Sequence, residues 1–324
     1  MEFLNGKRIL ITGGTGSLGE KLVREILTKT SIKKICIYSR DEMKQFLLFE
    51  SLDKNKKLDF FIGDIRDRRR LIECMKNIDF VIHAAAMKIV PLAEKNPSEA
   101  IKTNIIGAIN VIDAAQKQNV KRVIALSTDK ATNPINLYGA TKLCSDKLFI
   151  SANTSNSVND TKFSVVRYGN VINSRGSVIP LFQNQISLGE ITLTDEKMTR
   201  FFITINQAVD FVLMGLSKML GGEVFVPKIP SMNLLDLAKA IAPNCKIKVI
   251  GRRPGEKLHE TMISNDDAHN TIEMQDYYVI KPEFDWFDGK NQYNGVKVEE
   301  SFSYDSNSNT DYIDSLKILE LMNE

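Results

Sequence analysis

Short apolar runs alternate with longer stretches whose apolar residues recur at helical spacing, and this alternation persists through the first half of the 324-residue chain. Arg8 to Thr12, Lys34 to Tyr38, Leu58 to Ile62, Phe80 to His83, Arg122 to Leu126 and Phe163 to Arg167 read as buried strands. Helices are predicted over Gly19 to Thr30, Asp41 to Glu50, Asp67 to Lys76, Ser98 to Gln118 and Tyr138 to Ser151, with Asp41, Asp67 and Ser98 as caps. Such alternation requires right-handed crossovers and a mostly parallel sheet covered on both faces, an α/β doubly wound architecture. After residue 170 the rhythm loosens, and Gly189, Gly221-Gly222, Pro227, Pro230, Pro243 and Pro254 mark turns. Residues 1–170 are therefore expected to form one domain, and 171–324 mainly a smaller C-terminal α/β substrate domain. The boundary is interleaved, because Glu223 to Val226 reads as a strand returning to the main sheet. Ser301 to Thr310 reads as a surface loop without chemistry, leading to a last helix near Asp311 to Met322.

Between the first strand and first helix stands Thr12-Gly13-Gly14-Thr15-Gly16-Ser17-Leu18-Gly19. Glycines at this spacing and in this context let backbone amides approach a pyrophosphate at a helix N-terminus, which makes the first domain a Rossmann-type dinucleotide-binding unit. Gly13, Thr15, Gly16, Ser17, Leu18 and Gly19 are the candidate contacts. At the end of the second strand, where an acidic residue would select the ribose hydroxyl of NAD, the chain has Tyr38-Ser39-Arg40-Asp41. Ser39, Arg40 and Lys44 suit a 2'-phosphate and favour NADP over NAD, while Asp41 is a helix cap. Asp64 and Ile65, after the third strand, are placed to meet the adenine, and Ala84, Ala85 and Ala86 offer small side chains beneath the dinucleotide. His83 reads as a packed strand-end histidine rather than a catalyst.

Composition narrows the partners. Hydrophobic residues make up 43% and charged residues 26%, with 43 basic against 40 acidic residues and a net charge of +3. That balance carries no signature of nucleic acid or membrane binding. The first residues show no secretory leader pattern and no run approaches the roughly 18 apolar residues of a spanning helix, so a cytoplasmic protein is expected. The four cysteines, Cys36, Cys74, Cys144 and Cys245, are scattered and read as buried free thiols rather than disulfides or a metal site.

Downstream of the fifth strand come Leu126-Ser127-Thr128-Asp129-Lys130 and then Tyr138-Gly139-Ala140-Thr141-Lys142. Tyr138 and Lys142 lie four apart and share a helical face. A tyrosine, with an ordinary pKa of about 10, can act as a base near neutrality when Lys142 and a positive nicotinamide stabilise its phenolate. Thr128 would hydrogen-bond the same substrate hydroxyl.

These residues resemble the extended short-chain dehydrogenase/reductases and, within them, the inverting UDP-N-acetylglucosamine 4,6-dehydratases of pseudaminic acid biosynthesis. The resemblance runs nearly the whole chain, through Ser127 to Ala131 with Asn133-Pro134, Asn136 to Lys142, Arg167 to Val171, Ser174-Arg175-Gly176-Ser177-Val178, Met198 to Phe201, Phe225 to Met232 and Arg253 to Glu260. Sugar 4,6-dehydratases that retain C5 configuration resemble the Thr128-Asp129-Lys130 segment but carry Glu at its third position. The resemblance implies that Tyr138 removes the C4 hydroxyl proton while hydride passes to NADP, and that Lys130 then removes the C5 hydrogen. It further implies that Asp129 protonates the departing C6 hydroxyl, hydride returns to C6, and C5 is reprotonated from the opposite face. For Lys130 to act as base, its pKa is expected to fall through burial and cationic neighbours; the ordinary alternative is a lysine salt-bridged to Asp129.

The same resemblance implies that Asn170 and Val178 contact the nucleotide sugar, and Arg253 and Glu256 its diphosphate and ribose, with Thr194 or Arg200 contributing. Arg253 and Glu256 could alternatively form a structural ion pair, and Lys88 either approaches the sugar or is a solvated lysine. Ile89 and Asn173 depart from the pattern, which has His and Gly there. Members of this group assemble into homo-oligomers, often hexamers. A UDP-sugar epimerase, a dual dehydratase/epimerase, and a non-catalytic NADP-binding sensor are the competing readings.

Overall fold

The computed structural model describes residues 1–154, 160–174, 176–283 and 293–322. Arg175, part of one motif above, lies outside the described residues. The first half contains β1 (Arg8–Thr12), α1 (Ser17–Lys29), β2 (Lys34–Ser39), α2 (Glu42–Ser51), β3 (Leu58–Ile62), α3 (Arg68–Cys74) and β4 (Phe80–His83). There follow α4 (Val90–Lys95), α5 (Pro97–Ile101), a π-helical turn (Lys102–Ile106), α6 (Gly107–Lys117), β5 (Arg122–Leu126), α7 (Leu137–Ser151) and β6 (Lys162–Val166). The six strands pair in parallel in the order β3-β2-β1-β4-β5-β6, the doubly wound α/β arrangement expected. The central residues of β1, β2, β4, β5 and β6 are buried, as strands covered on both faces must be, while the edge strand β3 is only partly covered.

Asp41 and Asp67 cap α2 and α3 by accepting the amide hydrogens of Lys44 and Arg70. Ser98 is no cap: α5 begins one residue earlier, with Asn96 at the cap position and Pro97 at N1, where its missing N–H costs nothing. The single helix expected over 98–118 is instead α5, the π-helical turn and α6.

The second half comprises β7 (Asn170–Val171), α8 (Val178–Gln185), β8 (Glu190–Leu193), β9 (Thr199–Ile203), α9 (Ile205–Lys218), β10 (Val224–Pro227), β11 (Ser231–Asn233), α10 (Leu234–Ile241) and β12 (Lys246–Val249). The remaining elements are β13 (Thr261–Ile263), α11 (Asn265–Ala268), β14 (Thr271–Glu273), β15 (Tyr277–Ile280), β16 (Val296–Lys297), β17 (Tyr304–Asp305) and α12 (Ser315–Leu321). β10 pairs in parallel with β6, and β15, β14 and β16 extend the sheet antiparallel beyond it. A second core gathers Ile179, Phe182, Phe202, Met232 and Leu237 between α8, β9, β11 and α10. The 301–310 stretch is not a plain surface loop: β17 pairs with β13, Tyr304 is buried, and Ser306 is fully buried. Its aromatic anchor, bonded to Ile229 through the Tyr304 hydroxyl, outweighs the Ser/Asn-rich composition. Cys36 and Cys74 are buried thiols, but Cys144 is exposed on α7.

Candidate active site

Strand order reverses between β1 and β4, and in a doubly wound sheet the crevice beyond the strand ends at that point is where ligands bind. A cleft of about 1250 Å³ opens there and extends to the second core. Its floor is made by backbone contacts that only small residues allow. Gly13 has φ +69°, and a Cβ on it would lie 2.9 Å from the Ala85 backbone. A Cβ on Gly19 would lie 2.6 Å from the Gly13 carbonyl oxygen. Gly16 caps the 13-residue α1, so the free amides and positive end of that helix face the cleft. This cradle fits a dinucleotide pyrophosphate.

Thr15, Ser17, Leu18, Ser39, Arg40, Lys44, Asp64, Ile65, Ala84, Ala85 and Ala86 all line the same cleft. At its ribose end the cations are unequally engaged. Lys44 pairs with Asp41 at 2.9 Å, whereas the exposed Arg40 guanidinium is 3.8 Å from Asp64. The Ser39 hydroxyl is buried and accepts from Gln45 at 2.9 Å. His83 is buried beneath the loop, with Nδ1 2.8 Å from the Thr12 hydroxyl. Burial, reinforced by Lys142, lowers its pKa to about 3, so it is a neutral packing residue.

Asn136 starts α7 by accepting the Gly139 amide at 2.8 Å, and its own amide donates to the Gly255 carbonyl at 2.8 Å. A Cβ on Gly139 would collide with the Lys130 carbonyl oxygen, so this glycine lets α7 close onto the 129–131 turn. Tyr138 and Lys142 project from one buried face of α7 into the cleft. Asp146 lies on that face one turn further on, where it accepts from the Ser127 hydroxyl at 2.5 Å and approaches Arg167 at 3.5 Å. Spacing of four from Lys142 could have revealed it in the sequence. Burial lowers the Lys142 pKa, opposed by Asp146. Tyr138 is pushed up to about 12 by burial, with Lys130, rather than Lys142, the cation acting most strongly against it.

The turn after β5 concentrates charge. The Asp129 carboxylate is fully buried and accepts from the Thr128 hydroxyl at 2.8 Å and from Lys130 Nζ at 3.0 Å. Lys130 Nζ also lies 3.4 Å from Asn170 Oδ1 and 3.4 Å from Glu260 Oε1. Burial disfavours the ammonium, but the two carboxylates outweigh it and hold the pKa above that of an ordinary lysine, Arg200 opposing them. The expected lowering is thus reversed in this state, because the nearest neighbours are anions. Thr128, Lys130 and Tyr138 line the cleft; Asp129 stands behind them. Glu260 lines it, and sequence spacing gave no signal for a residue 130 positions from its partner.

Lys88, Asn170, Val178, Thr194, Arg200, Arg253 and Glu256 also line the cleft. Lys88 is an exposed part of the lining, and desolvation lowers its pKa. Arg200 is pinned by the carbonyl oxygens of Thr199, Leu258 and Lys257 at 2.7 to 3.0 Å. Arg253 is exposed, and the Glu256 carboxylate accepts its backbone amide at 3.2 Å while lying 3.8 Å from Arg200. Ile89 is an exposed part of the wall, and Asn173 adopts φ +58°, the left-handed conformation that the expected glycine would take more readily.

The glycine cradle at the switch point, with Tyr138 and Lys142 on one helical face below it, defines the class: an extended short-chain dehydrogenase/reductase. The chain belongs to the polysaccharide biosynthesis protein family, whose sequence model matches residues 9–282. It is 52% identical to a UDP-N-acetylglucosamine 4,6-dehydratase (inverting) of Campylobacter jejuni, over 98% of both chains. A UDP-glucose 4-epimerase of Rickettsia canadensis is 44% identical, with 85% of this chain and 82% of that one aligned. Among solved structures, Pen from Bacillus thuringiensis superimposes with a TM-score of 0.91 at 39% identity, covering 99% of this chain and 100% of that one.

Proposed function

We propose that the chain is a UDP-N-acetylglucosamine 4,6-dehydratase that inverts C5, yielding UDP-2-acetamido-2,6-dideoxy-β-L-arabino-hex-4-ulose. The observation that carries this reading is the Asp129–Lys130 ion pair set beside Thr128 and Tyr138 at the dinucleotide cleft. The Campylobacter jejuni relative of that name supports it. Residues 1–170 would hold NADP, the exposed Arg40 with Ser39 and Lys44 receiving its 2'-phosphate, and most of 171–324 the UDP-sugar. A bound nicotinamide supplies a hydride acceptor for C4 and, later in the same turnover, a hydride donor for C6, so the reaction is redox-neutral and the enzyme a hydro-lyase.

Burial keeps Tyr138 protonated in the unliganded site, so it takes the C4 hydroxyl proton only as the phenolate that a bound cationic nicotinamide and Lys142 would stabilise, while Thr128 hydrogen-bonds the same oxygen. The C4 ketone acidifies the C5 hydrogen, which Lys130 removes as Asp129 protonates the departing C6 hydroxyl. The resting ion pair holds the proton on the wrong partner for this step. Its transfer from Lys130 to Asp129 across the 3.0 Å contact creates base and acid together without changing net charge. Arg253 and Glu256 bind diphosphate and ribose, Asn170 and Val178 the sugar nucleotide, and Lys88, Thr194 and Arg200 complete the wall. The product would feed pseudaminic acid biosynthesis and surface glycans such as those of flagellin, in a cytoplasmic homo-oligomer.

A UDP-sugar 4-epimerase would share Tyr138 and Lys142 but has no acid–base chemistry at C5 and C6 to give the Asp129–Lys130 pair. Incubation with UDP-N-acetylglucosamine separates the readings by mass. Loss of one water supports dehydration, an isomer of unchanged mass supports epimerisation, and unconsumed substrate with bound NADP supports a non-catalytic sensor.

A further inference from the structure

The Lys130 ammonium has two carboxylate neighbours, and the reaction proposed above uses only Asp129. Glu260 is 2% exposed, yet it lines the cleft, as Asp129 does not. Its backbone is locked: the amide donates to the Ser306 hydroxyl at 2.9 Å, and the carbonyl accepts from the Ser306 amide at 2.8 Å. Its side chain is not. Among the described residues Oε2 is buried without a hydrogen-bond partner, and the cations around it stand off, Lys257 at 3.8 Å and Arg200 at 3.9 Å from the carboxylate. Both cations are committed elsewhere, Lys257 to the Thr132 carbonyl and Arg200 to three backbone carbonyls. A carboxylate buried for packing alone would be expected to have its oxygens satisfied.

We propose that Glu260 is a positioning residue for Lys130, a second anionic anchor that holds the amine at the cleft while Asp129 exchanges a proton with it. The inference rests on the dehydratase reading of this site. In the exchange an N–H bond of Lys130 breaks and an O–H bond of Asp129 forms; Glu260 keeps its charge. In this account the neutral amine turns one N–H toward Glu260 Oε1, 3.4 Å away, which aims its lone pair. When the C5 proton arrives on Nζ and the Asp129 proton leaves with the C6 hydroxyl, the new ammonium forms against Glu260. The groups facing Lys130 are Asp129 in its own turn, Tyr138 on α7, Asn170 on β7, Arg200 on β9, and Lys257 and Glu260 ahead of β13.

Glu260→Gln removes the charge and keeps the shape. The test titrates Lys130 in the NADP-bound protein by NMR of lysine labelled at Cε, assigned against Lys130→Met, alongside kcat and KM for UDP-N-acetylglucosamine. The expected result is a Lys130 midpoint lower by about one pH unit or more. With it, kcat falls about ten- to a hundredfold while KM moves by less than about threefold. An unmoved midpoint or an unchanged kcat overturns the inference. Should Glu260→Gln fail to fold, Glu260→Asp keeps the charge but draws it back from Lys130, and a kcat that does not fall overturns it equally. The titration needs no turnover. A wild type that leaves the nucleotide sugar unconverted therefore sinks the dehydratase reading, whereas a converting wild type with an unmoved midpoint sinks only the role of Glu260.

Discussion

At the residue scale, burial pushes Lys130 toward the neutral amine, and two carboxylates together overcome it. A half-buried lysine between two carboxylates stays protonated, so the base role proposed for it would require handing a proton to Asp129. Lys130→Ala is expected to bind NADP as the wild type does, in a fluorescence titration, but to lose water elimination by at least about a thousandfold. Turnover near the wild-type rate would refute the base assignment. His83 makes a different prediction, about stability. Its folded pKa of about 3 lies below the ordinary 6.5, so the unfolded chain binds a proton first as pH falls. Stability is complete above pH 6.5 and declines below it, by about 2 kcal/mol at pH 5. Denaturant unfolding at pH 7 and 5 should show a smaller difference for His83→Asn than for wild type.

At the scale of elements, the site depends on how tightly α7 approaches the 129–131 turn and the Gly255 loop. Gly139→Ala places a methyl group against the Lys130 carbonyl and is expected to cost about 1–3 kcal/mol in thermal unfolding, together with most of the activity. Asn136→Ala removes a cap worth about 1 kcal/mol and unties Gly255, so activity should fall further than stability. These elements also show what a sequence can disclose. The six parallel strands, the glycine turn and the Tyr138–Lys142 face were legible because each is local, written in periodicity or in residues four apart. Ser98 was misplaced as a cap because Asn96-Pro97 is an equally good start, and the π-helical turn has no periodic mark of its own. The Lys130–Glu260 contact was hidden because its partners stand 130 residues apart, and Glu260 appears in the sequence only as the last residue of a motif that gave it no role.

Across the described residues, a cleft runs from the reversal point of a ten-stranded sheet to a second, smaller core. In the proposed reading the dinucleotide and the nucleotide sugar would meet at Tyr138 and Lys130, so specificity for either could be changed without touching those two residues. If the exposed Arg40 receives the 2'-phosphate as proposed, Arg40→Ala should weaken NADP far more than NAD, by about tenfold or more in binding titrations, since it would remove a charge-assisted contact that NAD lacks. Equal weakening of both would contradict the assignment. The central claim, redox-neutral dehydration with inversion at C5, is tested most directly by proton NMR of UDP-N-acetylglucosamine turned over in deuterium oxide. The account predicts a new C6 methyl resonance, deuterium at C5 and couplings of the inverted 4-keto sugar. A product that keeps its C6 hydroxymethyl group, or a methyl sugar with C5 configuration retained, would contradict it.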